Sequence, residues 1–212
     1  MNARIKSIWE LSRKQNVPVS VPTEGQPKTK GSELRALLHP FDYRNFKTWQ
    51  QDVGELRTSL VLVLDHLQDP QNFGAICRLA DAFSLDGIII PKDRTVAVGP
   101  GVYHASVGAV DTVPVVQVPN LSESIRRLKD MGFWIVGTTL GNDSTPPWEI
   151  PHFEKVALVL GGELGGLRQL IEDQCDCKVL IPMSGKVQSL NVATACAILL
   201  YEFKHRQKSS KS

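Results

Sequence analysis

No apolar run in this chain is long enough to cross a bilayer. The longest, Leu190 to Leu200, falls far short of the roughly 20 residues that a spanning helix needs, and Asn191 and Thr194 interrupt it. Met1 to Pro18 lacks the apolar stretch of a secretory leader, because Lys, Arg, Glu and Gln recur through it. Cysteine is scarce: Cys77, Cys175, Cys177 and Cys196 include no C-x-x-C pair, and no histidine stands close enough to Cys175 and Cys177 to complete a zinc set. The expectation is a reduced, cytoplasmic protein whose thiols pack, with no metal and no membrane.

A strong charge of one sign is missing too. The formal net charge is +2, but it is unevenly spread: residues 1 to 60 hold ten Lys and Arg against six Asp and Glu, and the remainder fourteen against sixteen. A second basic cluster, Lys204, His205, Arg206, Lys208 and Lys211, closes the chain. Nucleic acid suits that distribution, and so does a solvated basic tail. Two phosphate-binding fingerprints are also absent. There is no G-x-G-x-x-G at the first strand-to-helix turn and no Walker lysine pair in the glycine-rich loop, which disfavours a dinucleotide oxidoreductase and a P-loop enzyme.

What is present is an α/β text. With 212 residues, 42% of them hydrophobic, the chain can bury a good core without staples. Leu60 to Leu64, Gly87 to Ile90, Val113 to Val118, Phe133 to Gly137, Val156 to Leu160 and Lys178 to Ile181 read as six buried strands. Helical stretches lie between them: Asn72 to Phe83, Val102 to Ala109, Leu121 to Met131, Leu167 to Cys175 and Leu190 to His205. Asn120 and Glu123 are spaced as a capping box, and Gly132 is placed to end its helix. Alternation of this kind predicts a largely parallel sheet with ligand loops beyond its carboxyl edge. Residues 1 to 57 read differently. Ala3, Ile5, Ile8, Trp9 and Leu11 are spaced as a helix, Val17 to Val21 alternates as a strand, and Pro22 to Gly31 is loop-like. Phe41 to Val53 is a polar stretch with aromatics able to pack on a neighbour.

Three loops carry chemistry. The first runs from Asp65 through Asp69-Pro70 to Asn72 and Arg78. Asn72 stands where a helix cap would, and Arg78 lies six residues on along a helix of small residues. The second, Gly161-Gly162-Glu163-Leu164-Gly165-Gly166, sets four glycines around one carboxylate, more than a tight strand-to-helix connection requires, and so favours close approach of a ligand to the backbone. The third, Ile181 to Asn191, is longer than a plain strand-to-helix loop. Ser189 sits there as a candidate N-cap and Asn191 as its first-turn partner.

In order and spacing, D-P-x-N-x-G-A-x-x-R (Asp69 to Arg78), L-V-L-G-G-E-x-x-G-L (Leu158 to Leu167) and I-P-M-x-G-x-V-x-S-L-N-V (Ile181 to Val192) resemble the three motifs of the SpoU family of RNA ribose methyltransferases, nearest the rRNA guanosine-2′-O-methyltransferase branch. The resemblance spans about residues 58 to 207. It implies a SPOUT-type parallel sheet with a C-terminal deep trefoil knot, a homodimer, S-adenosylmethionine as methyl donor, and RNA as partner, rRNA before tRNA. It divides the chain into a methyltransferase domain over 58–212 and a substrate-binding-like segment with linker over 1–57. That segment is similar to the latter part of an L30e-like RNA-binding domain. The family often has Ser-Glu-Gly in the second motif and Ser after Asn-Val in the third; here Gly162-Glu163-Leu164 and Asn191-Val192-Ala193 stand in those places.

The same resemblance nominates Thr138, Leu140, Gly161, Ile181, Met183 and Leu190 to hold the donor. It nominates Asn72, Arg78, Glu163, Ser189 and Asn191 for catalysis, with Arg78 acting on the 2′-hydroxyl. A guanidinium stays protonated in proteins, so the expected role of Arg78 is to engage an RNA phosphate and stabilise developing alkoxide charge. The alternatives are the same chemistry on tRNA, or an RNA-binding or assembly protein that keeps the fold without catalysis.

Overall fold

The computed structural model describes residues 40–141, 143–162, 165–187 and 189–209. The expected helix near residues 3–15, the strand at Val17 to Val21 and the loop at Pro22 to Gly31 lie outside them. By compactness the chain divides between Phe41 and Asp42, and every strand and helix described belongs to the second unit.

Six strands form one wholly parallel sheet in the order β3-β2-β1-β5-β4-β6. They are β1 (Ser59–Asp65), β2 (Gly87–Pro91), β3 (Val115–Val118), β4 (Trp134–Thr138), β5 (Lys155–Gly161) and β6 (Cys177–Val179). Every residue of β1 is buried, as an uninterrupted apolar run requires when helices cover both faces. β1 and β5 pair along their full length, from Ser59 opposite Lys155 to Asp65 opposite Gly161. That register sets the start of the loop bearing the first motif beside the glycines of the second.

The helices are α1 (Phe46–Gly54), α2 (Pro70–Ala82), α3 (Pro100–Ser106), α4 (Leu121–Asp130), α5 (Gln169–Glu172) and α6 (Val192–Ser209). On one face, Trp49 and Val53 of α1 and Leu121, Ile125 and Leu128 of α4 pack on Val61, Val63, Ile89 and Val159. Alternate strand residues such as Leu60, Leu62 and Leu158 are buried on the other face, where α2 and α6 pack together.

The stretch read as a linker joins this core. Asn45 caps α1, accepting from Lys47 N at 2.9 Å, and Arg44 N donates to Val115 O at 2.8 Å. Trp49 is 2% exposed, and its Nε1 donates to Asp86 O at 2.8 Å. A Cβ at Gly87 would come within 2.7 Å of Trp49 Nε1, so the strand opens on glycine where the indole needs room. Trp49→Phe should keep the fold and lose roughly 2–3 kcal/mol of stability, because it removes that hydrogen bond and leaves a void where the larger ring packs against Gly87; denaturant unfolding checks it.

Other boundaries shift for local reasons. The cap of α2 is Asp69, whose Oδ1 accepts from Gln71 N at 2.9 Å, and Pro70 opens the helix; Asn72 therefore lies inside the first turn and is not its cap. Asn120 caps α4, but Glu123 turns its carboxylate to Arg127, leaving the capping box half made. Gly132, at φ +82°, ends that helix as expected. β6 ends at Val179, and its outer edge forms a parallel bridge to Thr145, which donates to Lys178 O at 3.0 Å and accepts from Leu180 N at 3.1 Å. Asn191, not Ser189, caps α6: its Oδ1 accepts from Ala193 N at 2.9 Å and Thr194 N at 3.3 Å.

All four thiols are free, and Cys77 and Cys196 are fully buried. Burial pushes the Cys77 thiol up to about 12 and raises Cys196 as well, so neither offers a thiolate near neutral pH. Both should resist a disulfide exchange reagent in the native protein and react once it is unfolded; mass mapping of the labelled cysteines checks this.

Candidate active site

Three loops leave the carboxyl ends of β4, β5 and β6 and enclose a cavity of about 720 Å³, within the usual range for small-molecule sites. All six nominated donor residues lie on its wall: Thr138 and Leu140 after β4, Gly161 at the end of β5, and Ile181, Met183 and Leu190 on the way to α6. Much of the wall is aliphatic, Leu160 and Leu199 included, and the rest is glycine with the polar residues Thr138, Thr139, Glu172, Ser189 and Asn191. Such a wall suits a ligand with a flat heterocycle and a polar tail.

The nominated catalytic residues are placed less uniformly. Ser189 and Asn191 line the cavity. Asn72, only 8% exposed, accepts from Asn191 Nδ2 at 2.8 Å, which ties the first motif to the third. One amide thus does two jobs, since the oxygen of Asn191 caps α6 while its nitrogen holds Asn72. Arg78 is exposed on α2, outside the cavity wall. Glu163 lies outside the described residues.

Why four glycines stand in the second loop is answered by the loop itself. Gly162 bridges to Gly166 across the turn. A Cβ on Gly161 would lie 2.1 Å from Gly166 C, and one on Gly162 would lie 2.3 Å from His66 O. Gly165 and Gly166 occupy φ +122° and +72°, where side chains are strained. The excess of glycine read as room for a ligand is therefore first a requirement of backbone doubling on backbone. The cavity lies against the result.

Sequence reading missed two polar clusters beside this cavity. Glu172 on its wall pairs with Lys178 at 2.9 Å, and Lys178 also reaches Asp143 at 2.7 Å. Those hydrogen bonds, to Asp143 above all, hold the Lys178 ammonium charged, well above its ordinary range. At the end of β1, the fully buried Asp65 carboxylate takes Arg168 through main chain and side chain. A carboxylate closing an apolar strand was the available signal for that second cluster. Among the described residues no group of three His, Cys, Asp or Glu could hold a metal ion.

A model of the SpoU rRNA methylase family matches residues 59–201, about two thirds of the chain. The chain belongs to the SpoU methylase family. It is 43% identical over 182 residues to a Staphylococcus epidermidis protein described as a TrmH family tRNA/rRNA methyltransferase, spanning 84% of this chain and 73% of that one. Among solved structures, an rRNA methyltransferase from Sinorhizobium meliloti with S-adenosylmethionine bound superposes with a TM-score of 0.70 at 28% identity, over 77% of this chain and 61% of that one. A TrmH/SpoU tRNA modifying enzyme from A. aeolicus gives 0.66 at 27%, over 78% and 84%. As a SpoU member this chain is an RNA methyltransferase with S-adenosylmethionine as donor, and the size and lining of the cavity fit that molecule.

Proposed function

We propose that this SpoU protein methylates a ribose 2′-hydroxyl in structured rRNA, with the donor in the cavity of the three loops. The observation that carries the reading is the convergence of all six nominated donor residues on one wall, with Asn191 of that wall bonded to Asn72 of the helix that bears Arg78. When bound, the donor supplies an electrophilic methyl group on a sulfonium. The chain's own part is to align a hydroxyl with that methyl and to help the proton leave. Arg78 grips an RNA phosphate and offsets alkoxide charge, Asn72 and Asn191 fix the helix that carries it, and Ser189 and Glu163 orient ribose and donor.

The same reading takes the C-terminal chain to be threaded as a trefoil knot. It takes residues 1–57 as an RNA-binding segment, although 42–57 pack on the sheet. It takes the protein to be a cytoplasmic homodimer. Ile198 and Tyr201, 41% and 64% exposed one turn apart on α6, with the His205 ring stacked on Tyr201, offer a face for a second copy.

Calorimetric titration with S-adenosylmethionine, followed by labelled donor with bulk rRNA or tRNA and mapping of 2′-O-methylated nucleotides, tests the proposal. Label in rRNA supports it. Label only in tRNA moves the substrate, and donor binding without transfer to either RNA favours an assembly protein on the same fold.

A further inference from the structure

Asp65 is the last residue of β1, and its side chain is 0% exposed. A buried carboxylate is costly unless its charge and lone pairs are met, and here Arg168 and His66 meet them. Arg168 donates its main-chain N to Oδ2 at 3.0 Å, its Nε to Oδ1 at 2.9 Å, and brings Nη2 to 2.8 Å from Oδ1. His66 Nδ1 adds a contact at 2.6 Å. Arg168 is itself 45% exposed, so burial falls on the acid, and the base reaches in to it.

The position of Arg168 gives the pair its leverage. It directly follows Gly166 and Leu167, both on the cavity wall, and it is the N-cap of α5. The other end of the turn is Gly161, in register with Asp65 itself. His66, whose φ is +61°, sets its carbonyl where a side chain on Gly162 would be. Asp65 thus grips the far end of a turn whose near end is already paired to its own strand. The loop that follows β1 is tied at its start to the end of the glycine-rich turn by this ion pair, and farther on to the third motif by the Asn72–Asn191 bond.

We propose that Asp65 and Arg168 are positioning residues for methyl transfer, clamping the glycine-rich turn in the shape that binds the donor. The proposal rests on the donor occupying the three-loop cavity. Neither residue touches the reacting atoms; the pair acts through Gly166 and Leu167. An isosteric Asp65→Asn loses the charge, and Arg168→Lys keeps the charge but loses the two-pronged grip.

The test is calorimetric binding of S-adenosylmethionine to the full chain, alongside thermal unfolding, for D65N, R168K, the double variant and D86A. Asp86 accepts from Ser59 and Leu60 at the opposite end of β1, so D86A lowers stability without reaching the cavity. D65N and R168K should each weaken donor binding on the order of tenfold, with the double variant no weaker than the weaker single. D86A should lower the melting temperature and leave affinity within about twofold of wild type. Should D65N fail to fold, R168K, which keeps a cation beside the acid, carries the comparison. Affinities for folded D65N and R168K within about twofold of wild type would overturn the clamp, as would D86A weakening the donor equally. A wild-type chain that binds no donor would overturn the clamp and the reading beneath it together.

Discussion

Arg78→Lys should lower methyl transfer on the order of a hundredfold while leaving donor affinity within about twofold of wild type. The split comes from where Arg78 stands. It lies outside the cavity wall, on the exposed side of α2, so it does not line the proposed donor site. The helix beneath it is fixed at several points: Asp69 caps it, Asn191 holds Asn72, and Gly74 meets α3 so closely that a Cβ would approach Ala105 Cβ to 2.4 Å. A side chain carried on such a rigid support can present a planar fork to a phosphate in one orientation. Lysine keeps the charge but cannot reproduce two parallel hydrogen bonds. Single-turnover transfer of labelled methyl to RNA, beside calorimetry with the donor alone, separates the two effects. Wild-type turnover in the lysine variant would sink the proposed role of Arg78.

The strands were legible because their chemistry is blunt: runs buried on both faces of a sheet are mostly apolar, as β1, β2 and β5 are. Less visible was α1, a nine-residue helix that buries only Trp49 and Val53 and whose remaining surface reads like a polar linker. The residues that wall the cavity could be named together only through the resemblance, since Thr138, Leu140 and Met183 carry no signal of their own. Pairings across the chain were not legible at all. Asp65 and Arg168 are 103 residues apart and Asn72 and Asn191 are 119 apart, and single-residue patterns carry no information about which loops meet. The glycine-rich loop shows a subtler limit. Its composition announced a special backbone, but only the geometry tells that the special need is self-packing.

That distinction gives the second large effect. Gly161→Ala should abolish measurable donor binding or prevent folding, whereas Gly185→Ala, in the third motif, should do neither. The methyl group added at Gly161 would sit 2.1 Å from Gly166 C, 2.4 Å from Gly166 O and 2.5 Å from Leu167 N. All three obstacles are main chain, so no side chain can rotate away, and relief requires the turn to open from β5. Overpacking a core costs roughly 1–3 kcal/mol when side chains can shift, and this site lacks that escape. Opening the turn would carry Gly166 and Leu167 off the cavity wall and pull Arg168 from Asp65, coupling a local clash to the proposed donor site. A Cβ at Gly185 meets nothing within 4 Å. Melting temperature and donor affinity of the two variants, measured side by side, decide the matter. An alanine at 161 that melts and binds like wild type would mean that the turn is not folded back on itself in solution, and the account of all four glycines would fall with it.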